Sequence, residues 1–451
     1  MASLQDNIDA HGGALNLLRT NSVEVSGIFP YPLEWSNWRD EQRAWAETAL
    51  LLNQSYHMTD LYMSGPDAVR LLSDTSVNNW SKFAIGGAKQ YVAVNSRGQL
   101  IGDSIAIWLP DGRINVAGFE HTINWLQFQA EVGRYDVQFS RDPSSRGEAG
   151  SKRLYRYELE GPRAWDILEK ASGAPVPDIG FFKSGVIRIA DRDVWLLNHT
   201  MGGVPGNAKS GFELLGPAED DERVVDALLV AGVEFGLKRG GARAYLSTLG
   251  ESGWVGASQC PAIYTADDLR DYREWLPATA LENYGIATGS GSYQPEVADG
   301  YYQDPYEQGY GHVVRFDHDF IGRAALETIA AAPPRTKVWL TWNAEETRQL
   351  ITDSEFATGK NARKLLPWPN TVGRDQVLIG DTPIGATQIH GYTVNIGTWT
   401  SVASVDSRYA KPGTEVELLW GDWDGGASNP ATPAHEQVRI RATISLDSLA
   451  A

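Results

Sequence analysis

Cysteine is almost absent: Cys260 stands alone among 451 residues. One thiol excludes an intrachain disulfide and a thiolate cluster for zinc or iron–sulfur, and it fits a reducing cytoplasm. Basic runs are missing as well. With 39 Lys and Arg against 57 Asp and Glu, the formal charge is −18, which repels a phosphate backbone, so nucleic acid is not an expected partner. No uncharged apolar run approaches the roughly 20 residues that a membrane span needs. The opening MASLQDNIDAHGG lacks a basic region followed by an apolar core, so a cytoplasmic, non-exported protein without a membrane partner is expected. The eight histidines show no ligand-pair spacing, and no metal is expected. What the chain does hold is core material: 42% of it is hydrophobic and 16 residues are Trp, enough for more than one domain.

Two stretches resemble each other, LYMSGPDAVRLLSD at 61–74 and YELEGPRAWDILEK at 157–170. Each reads as a strand, a Gly-Pro and an amphipathic helix, with Pro66 or Pro162 in the first helical turn, where the missing N–H is harmless. A third version starts at Phe212 with FELLGPAEDDERVVDALL, its acidic residues at the positive end of the helix and Gly232 at the C-cap. Between the first two units, QYVAVNSRGQLIGDSIAIWLPDGRINVAG alternates at period two and reads as an antiparallel meander. In that register Asp103 shares a face with Ile105, Ile107 and Leu109. It is either a ligand or catalytic anchor, a turn-side hydrogen-bonding group, or a residue ahead of a later strand start. The stretch ARAYLSTLGESGW at 242–254 looks too broken by Gly250 and Gly253 for one element, and predicts a turn that brings Tyr245, Glu251 and Trp254 against something bound. A Gly/Tyr-rich segment at 287–311 reads as a long surface excursion. AAAPPR at 330–335 reads as a linker. The expected organisation is an α+β body over 1–330 built from related α/β subdomains, then a β-barrel or sandwich domain over 335–451.

The order of these motifs resembles the folate-dependent aminomethyltransferase superfamily. YHMTDLYMSGPDAVRLL is similar to its opening strand and helix, NSRGQLIGDSIAIWL to its hairpin, SGFELLGP to its Gly-Phe-Glu strand, and DPYEQGYG with DHDFIGRAAL to the segment closing its body. GYTVNIGTWTSVASVD with KPGTEVELL resembles its C-terminal β domain. Within it, QSYH at 54–57, Glu213 and the 242–254 stretch most resemble the tetrahydrofolate-dependent O-demethylases of methoxylated aromatic acids. The glycine-cleavage branch usually has two adjacent aspartates where this chain has Gly102-Asp103. The iron–sulfur-assembly branch has a Lys-Gly-Cys-Tyr motif unlike the surroundings of Cys260.

The resemblance implies transfer of a methyl group from an aryl ether oxygen to N5 of tetrahydrofolate. A phenolate leaves with a pKa of roughly 10, so a donor to that oxygen is needed. Tyr245 is the implied donor, and His57 would orient the aromatic hydroxyl or relay the proton. Without the resemblance, Tyr245 reads as an ordinary core tyrosine. Glu213 would accept from pterin N–H groups, its other reading being an exposed strand carboxylate. Trp254 would pack against a folate ring, with Gln54 and Asp103 completing the shell. Tyr31 and His121 join His57 around the donor. The arginine that holds a benzoate carboxylate in such enzymes is absent from 118–128, where Glu120 or His121 takes its place. Rival readings are an aminomethyl- or S-methyltransferase of the same fold, or a folate-binding regulator without catalysis.

Overall fold

The computed structural model describes residues 31–447 apart from 145–151, 200, 201, 205, 255–259, 278, 279, 281, 283–290, 369 and 428–431. The N-terminal stretch read above and residues 287–290 therefore lie outside the described residues.

Helix α1 (Trp38–Glu47) starts at Asn37, whose side chain accepts from the Arg39 amide and satisfies a first-turn donor. There follow β1 (Ala49–Asn53), β2 (Thr59–Ser64), α2 (Ala68–Asp74), β3 (Ala88–Val94), β4 (Leu100–Trp108), β5 (Ile114–Gly118), α3 (Glu120–Val132) and β6 (Gln138–Asp142). A second run holds β7 (Leu154–Glu160), α4 (Ala164–Ser172), β8 (Lys183–Ile189), β9 (Arg192–Asn198), β10 (Gly211–Pro217), α5 (Asp221–Gly232) and β11 (Leu237–Arg239). Strands β3-β4-β5-β2-β6 form one sheet and β11-β1-β7-β10-β9-β8 another. Alternation decides how they pack. Tyr62, Ile107 and Leu109 of the first sheet meet Leu154, Leu197 and Leu215 of the second in one buried cluster. The opposite faces take helices: Leu71, Leu72, Ile123 and Trp125 cover the first sheet, and Ile167, Leu168, Val224 and Leu228 the second.

The repeated Gly-Pro has a backbone reason. Gly65 and Gly161 adopt φ of 132° and 114°, and a side chain there would strike the carbonyls of Asp136 and Thr48. Both prolines sit two places ahead of the first helical residue rather than in the first turn. In the third unit Gly216 stays within β10, and the left-handed closure expected at Gly232 falls instead on Gly236, with φ 73°.

The stretch expected to turn at Gly250 is one helix, α6 (Ala242–Ser252). It runs through Gly250 and stops at Gly253, where φ is 73°. Its C-terminal half is held by the barrel: Trp339 Nε1 donates to the Gly250 carbonyl at 3.2 Å and Lys337 Nζ to that of Gly253 at 3.1 Å. After α7 (Arg270–Trp275) and α8 (Arg323–Ala331) come β12 (Arg335–Trp342), α9 (Ala344–Phe356), β13 (Asn370–Val372), β14 (Gln376–Ile379), β15 (Thr382–Thr393), β16 (Thr398–Asp406), β17 (Glu415–Trp420) and β18 (Val438–Ser445). The ring β15-β14-β17-β18-β12-β16 closes through β15–β16 pairing, giving a six-stranded barrel with β13 added to β15. No helix among the described residues is long and apolar enough to cross a membrane.

Two expectations change here. The described part of the Gly/Tyr-rich segment is wedged between body and barrel: Ser292 Oγ donates to the Leu419 carbonyl at 2.6 Å, Gln308 Nε2 to Gln388 at 2.9 Å, and Glu307 pairs with Arg335. Glu251 faces the barrel rather than a ligand, accepting from Asn395 Nδ2 at 2.9 Å and from Thr393 Oγ1. Burial raises its carboxyl from 4.5 to about 7. A carboxyl raised in the fold contributes stability that is full below about pH 4.5 and lost as pH rises through about 7. Glu251→Gln should therefore flatten the fall in melting temperature across that window, as read by thermal denaturation at stepped pH.

Candidate active site

Where the apolar cluster between the two sheets ends, the same inner faces turn polar. On β7, Tyr155, Tyr157 and Leu159 join the outer core, so Arg156, Glu158 and Glu160 project inward. On β10, Phe212 and Leu214 point outward and Glu213 inward. On β4, Asp103 lies beside Ile105, as the strand register predicts. These side chains line a pocket roofed by Tyr245, Thr248 and Ser252 of α6 and by Trp254.

Tyr245 meets His57, which stands behind it and is not itself among the cavity walls. Their rings sit 5.1 Å apart, edge to face, with Tyr245 Oη 2.8 Å from His57 Nε2. Burial raises the phenol's pKa, and the nearby Glu158, Tyr31 and Glu160 raise it further, so Tyr245 keeps its proton. Gln54, which lines the same cavity, donates to Glu158. Asp103 is buried under Gln90 Nε2 at 2.8 Å and Tyr310 Oη at 3.1 Å. Burial raises its carboxyl, against the lowering effect of Gln90, Tyr310 and the Trp254 indole. Glu213 is 2% exposed, which removes the exposed-carboxylate reading.

The sequence reading missed the group that ties these together. Arg156, 3% exposed, pairs with Glu213 and reaches Asp60 Oδ1 at 3.1 Å and Asn115 Oδ1 at 2.9 Å. Lys152 Nζ closes the other side of Asp60 at 2.9 Å. Burial pushes Asp60 upward, but Arg156 and Lys152 outweigh it and hold the carboxyl below its usual range. His199, lowered to about 4 by burial and then by Arg156, is a neutral imidazole whose Nε2 lies 3.3 Å from both Glu158 and Glu213. The available signal was LYRYELE, with a charged residue at every second place of an otherwise apolar strand.

Two predicted residues stand apart. Tyr31 packs beside Tyr245 in a buried cluster with Trp45 and Leu52, but its hydroxyl donates to the Asn53 carbonyl at 3.0 Å and it lines a separate surface cleft with Tyr56 and Tyr157. His121 is not among the cavity walls. It lies behind β4, in the space that Gly102 leaves by lacking a side chain, and burial lowers it to about 4. Glu120 faces Arg141, 3.6 Å away. Among the described residues no cluster of His, Cys, Asp and Glu is arranged to hold a metal.

The chain is 41% identical to a syringate O-demethylase from a Sphingobium species, over 98% of this chain and 95% of that protein. It is 27% identical to a sesamin methylene transferase from a Sinomonas species, over 92% and 89%. Its fold matches the crystal structure of the glycine cleavage system aminomethyltransferase T from Bartonella henselae, with a TM-score of 0.60, 17% identity and 95% of each chain covered. Residues 9–259 match the GCVT N-terminal domain, and the chain belongs to that aminomethyltransferase family.

Proposed function

We propose that the protein transfers a methyl group from the aryl ether of a methoxylated aromatic, of the syringate, vanillate or 3-O-methylgallate type, to N5 of tetrahydrofolate, leaving 5-methyltetrahydrofolate and a phenol. The observation that carries this reading is the Tyr245–His57 hydrogen bond at the roof of a cavity whose polar walls are mainly acceptors. Asp103 and Glu213 fit a pterin, whose edge is a row of N–H donors. Identity of 41% to a protein named for syringate demethylation supports the donor class.

Tetrahydrofolate would supply the nucleophilic nitrogen. The protein's own part is orientation, water exclusion and proton supply. Glu213, fixed by Arg156 and His199, presents its carboxylate to the pterin N–H groups without having to reorganise. Trp254 gives a flat apolar wall for a ring. Tyr245 donates to the ether oxygen as the O–CH₃ bond breaks, and His57 Nε2, 2.8 Å from the phenol oxygen, holds it in place, so negative charge on the leaving oxygen is met as it develops. Closing both reactants in this cavity raises their effective concentration.

Incubation with tetrahydrofolate and, separately, vanillate, syringate, 3-O-methylgallate and guaiacol tests the reading by product mass. At least one should give 5-methyltetrahydrofolate with its demethylated phenol. Tight folate binding with no transfer from any of them would instead favour the non-catalytic regulator.

A further inference from the structure

The cavity contains a pair of carboxyls that the reaction above does not use. Glu158 and Glu160 stand two residues apart on β7, both turned inward and 5% and 1% exposed. Their Oε1 atoms converge on the same side of Gly202, where a methyl group would collide with both. Around them stand Gln54 and His199, which contact Glu158, the Trp45 indole of α1 beside Glu160, Tyr245 of α6, Arg156 on their own strand and Glu213 across from it. Arg156 is already committed to Glu213 and Asp60, and Glu160 Oε2 has no hydrogen bond among the described residues. Two adjacent carboxylates in such a site cannot both be ionised at acceptable cost, and one proton bridging them relieves the repulsion.

We propose that Glu158 and Glu160 share one proton and that this pair is a positioning element for the reaction, setting the strength of Tyr245 as a hydrogen-bond donor. The inference rests on the donor role assigned to Tyr245 above. With the proton in place the pair carries a single negative charge, and the phenol can give its hydrogen to the leaving oxygen. When the proton is lost, a second buried negative charge faces Tyr245 and weakens it as an acid. Burial raises both carboxyls above the usual range, and repulsion from Glu158 raises Glu160 further. The pair therefore holds its proton at low pH and gives it up as pH rises, so turnover falls on the alkaline side.

Two measurements test this. Infrared spectra of the ligand-free wild type minus those of Glu160→Gln and of Glu158→Gln should each show a protonated-carboxyl band at neutral pH, the contribution of Glu251 cancelling in the difference. The alkaline limb of the kcat profile should move up by about one pH unit or more in Glu160→Gln, because a neutral amide removes the second ionisation. No carboxyl band in these differences, or an alkaline limb that stays in place, overturns the proposal. A band that behaves as described in an enzyme that transfers no methyl group from any donor sinks the functional reading instead.

Discussion

Tyr245→Phe is expected to lower turnover by about 10²-fold or more while leaving tetrahydrofolate affinity unchanged. The substitution removes one hydroxyl and keeps the ring that packs among Tyr31, Trp45, Leu50 and Leu52, so the fold is not what is perturbed. The lost hydrogen bond is to His57, away from the Glu213 wall proposed to bind folate. Charge on the departing oxygen then develops without a donor, which affects the transition state and not the ground state. Separate determination of kcat, KM and folate Kd checks this. Loss of affinity in proportion to rate would make Tyr245 a binding residue and remove its catalytic role.

Arg156→Met is expected to destabilise the protein by about 3–5 kcal/mol, the usual result of breaking a buried ion pair by removing one partner. Here one guanidinium serves two buried carboxylates, Glu213 and Asp60, and its removal strands both. Lys152 still neutralises Asp60. Glu213 has no comparable substitute, since His199 is neutral. Arg156→Lys should recover little, because one ammonium cannot span the two carboxylates as a planar fork does. Urea denaturation with folate present and absent gives both readings: lower stability, and a smaller stabilisation by folate. An unchanged denaturation midpoint in Arg156→Met would show that Arg156 does not hold the wall together.

Much of the site was legible from local pattern. Glu213 between Phe212 and Leu214, and Asp103 two places before Ile105, point inward because period-two alternation fixes which face a strand residue shares. The meeting of Tyr245 with His57 needed the resemblance, since 188 residues separate them and no local rule joins a helix to a loop at that distance. The Arg156–Asp60–Lys152 network was missed for the same reason. A charged residue on a strand reads as exposed until a second sheet is known to cover it. The helix through Gly250 was misread because its contacts with Trp339 and Lys337 come from the barrel and override the weak helix propensity of glycine.

The most direct measurement follows the methyl group itself. With syringate labelled as a trideuteromethyl ether and unlabelled tetrahydrofolate, this account predicts 5-methyltetrahydrofolate retaining all of the deuterium of the ether methyl, formed in step with the phenol. Label recovered as a methylene-level folate or as a free one-carbon product, with deuterium lost, would contradict direct transfer in this cavity.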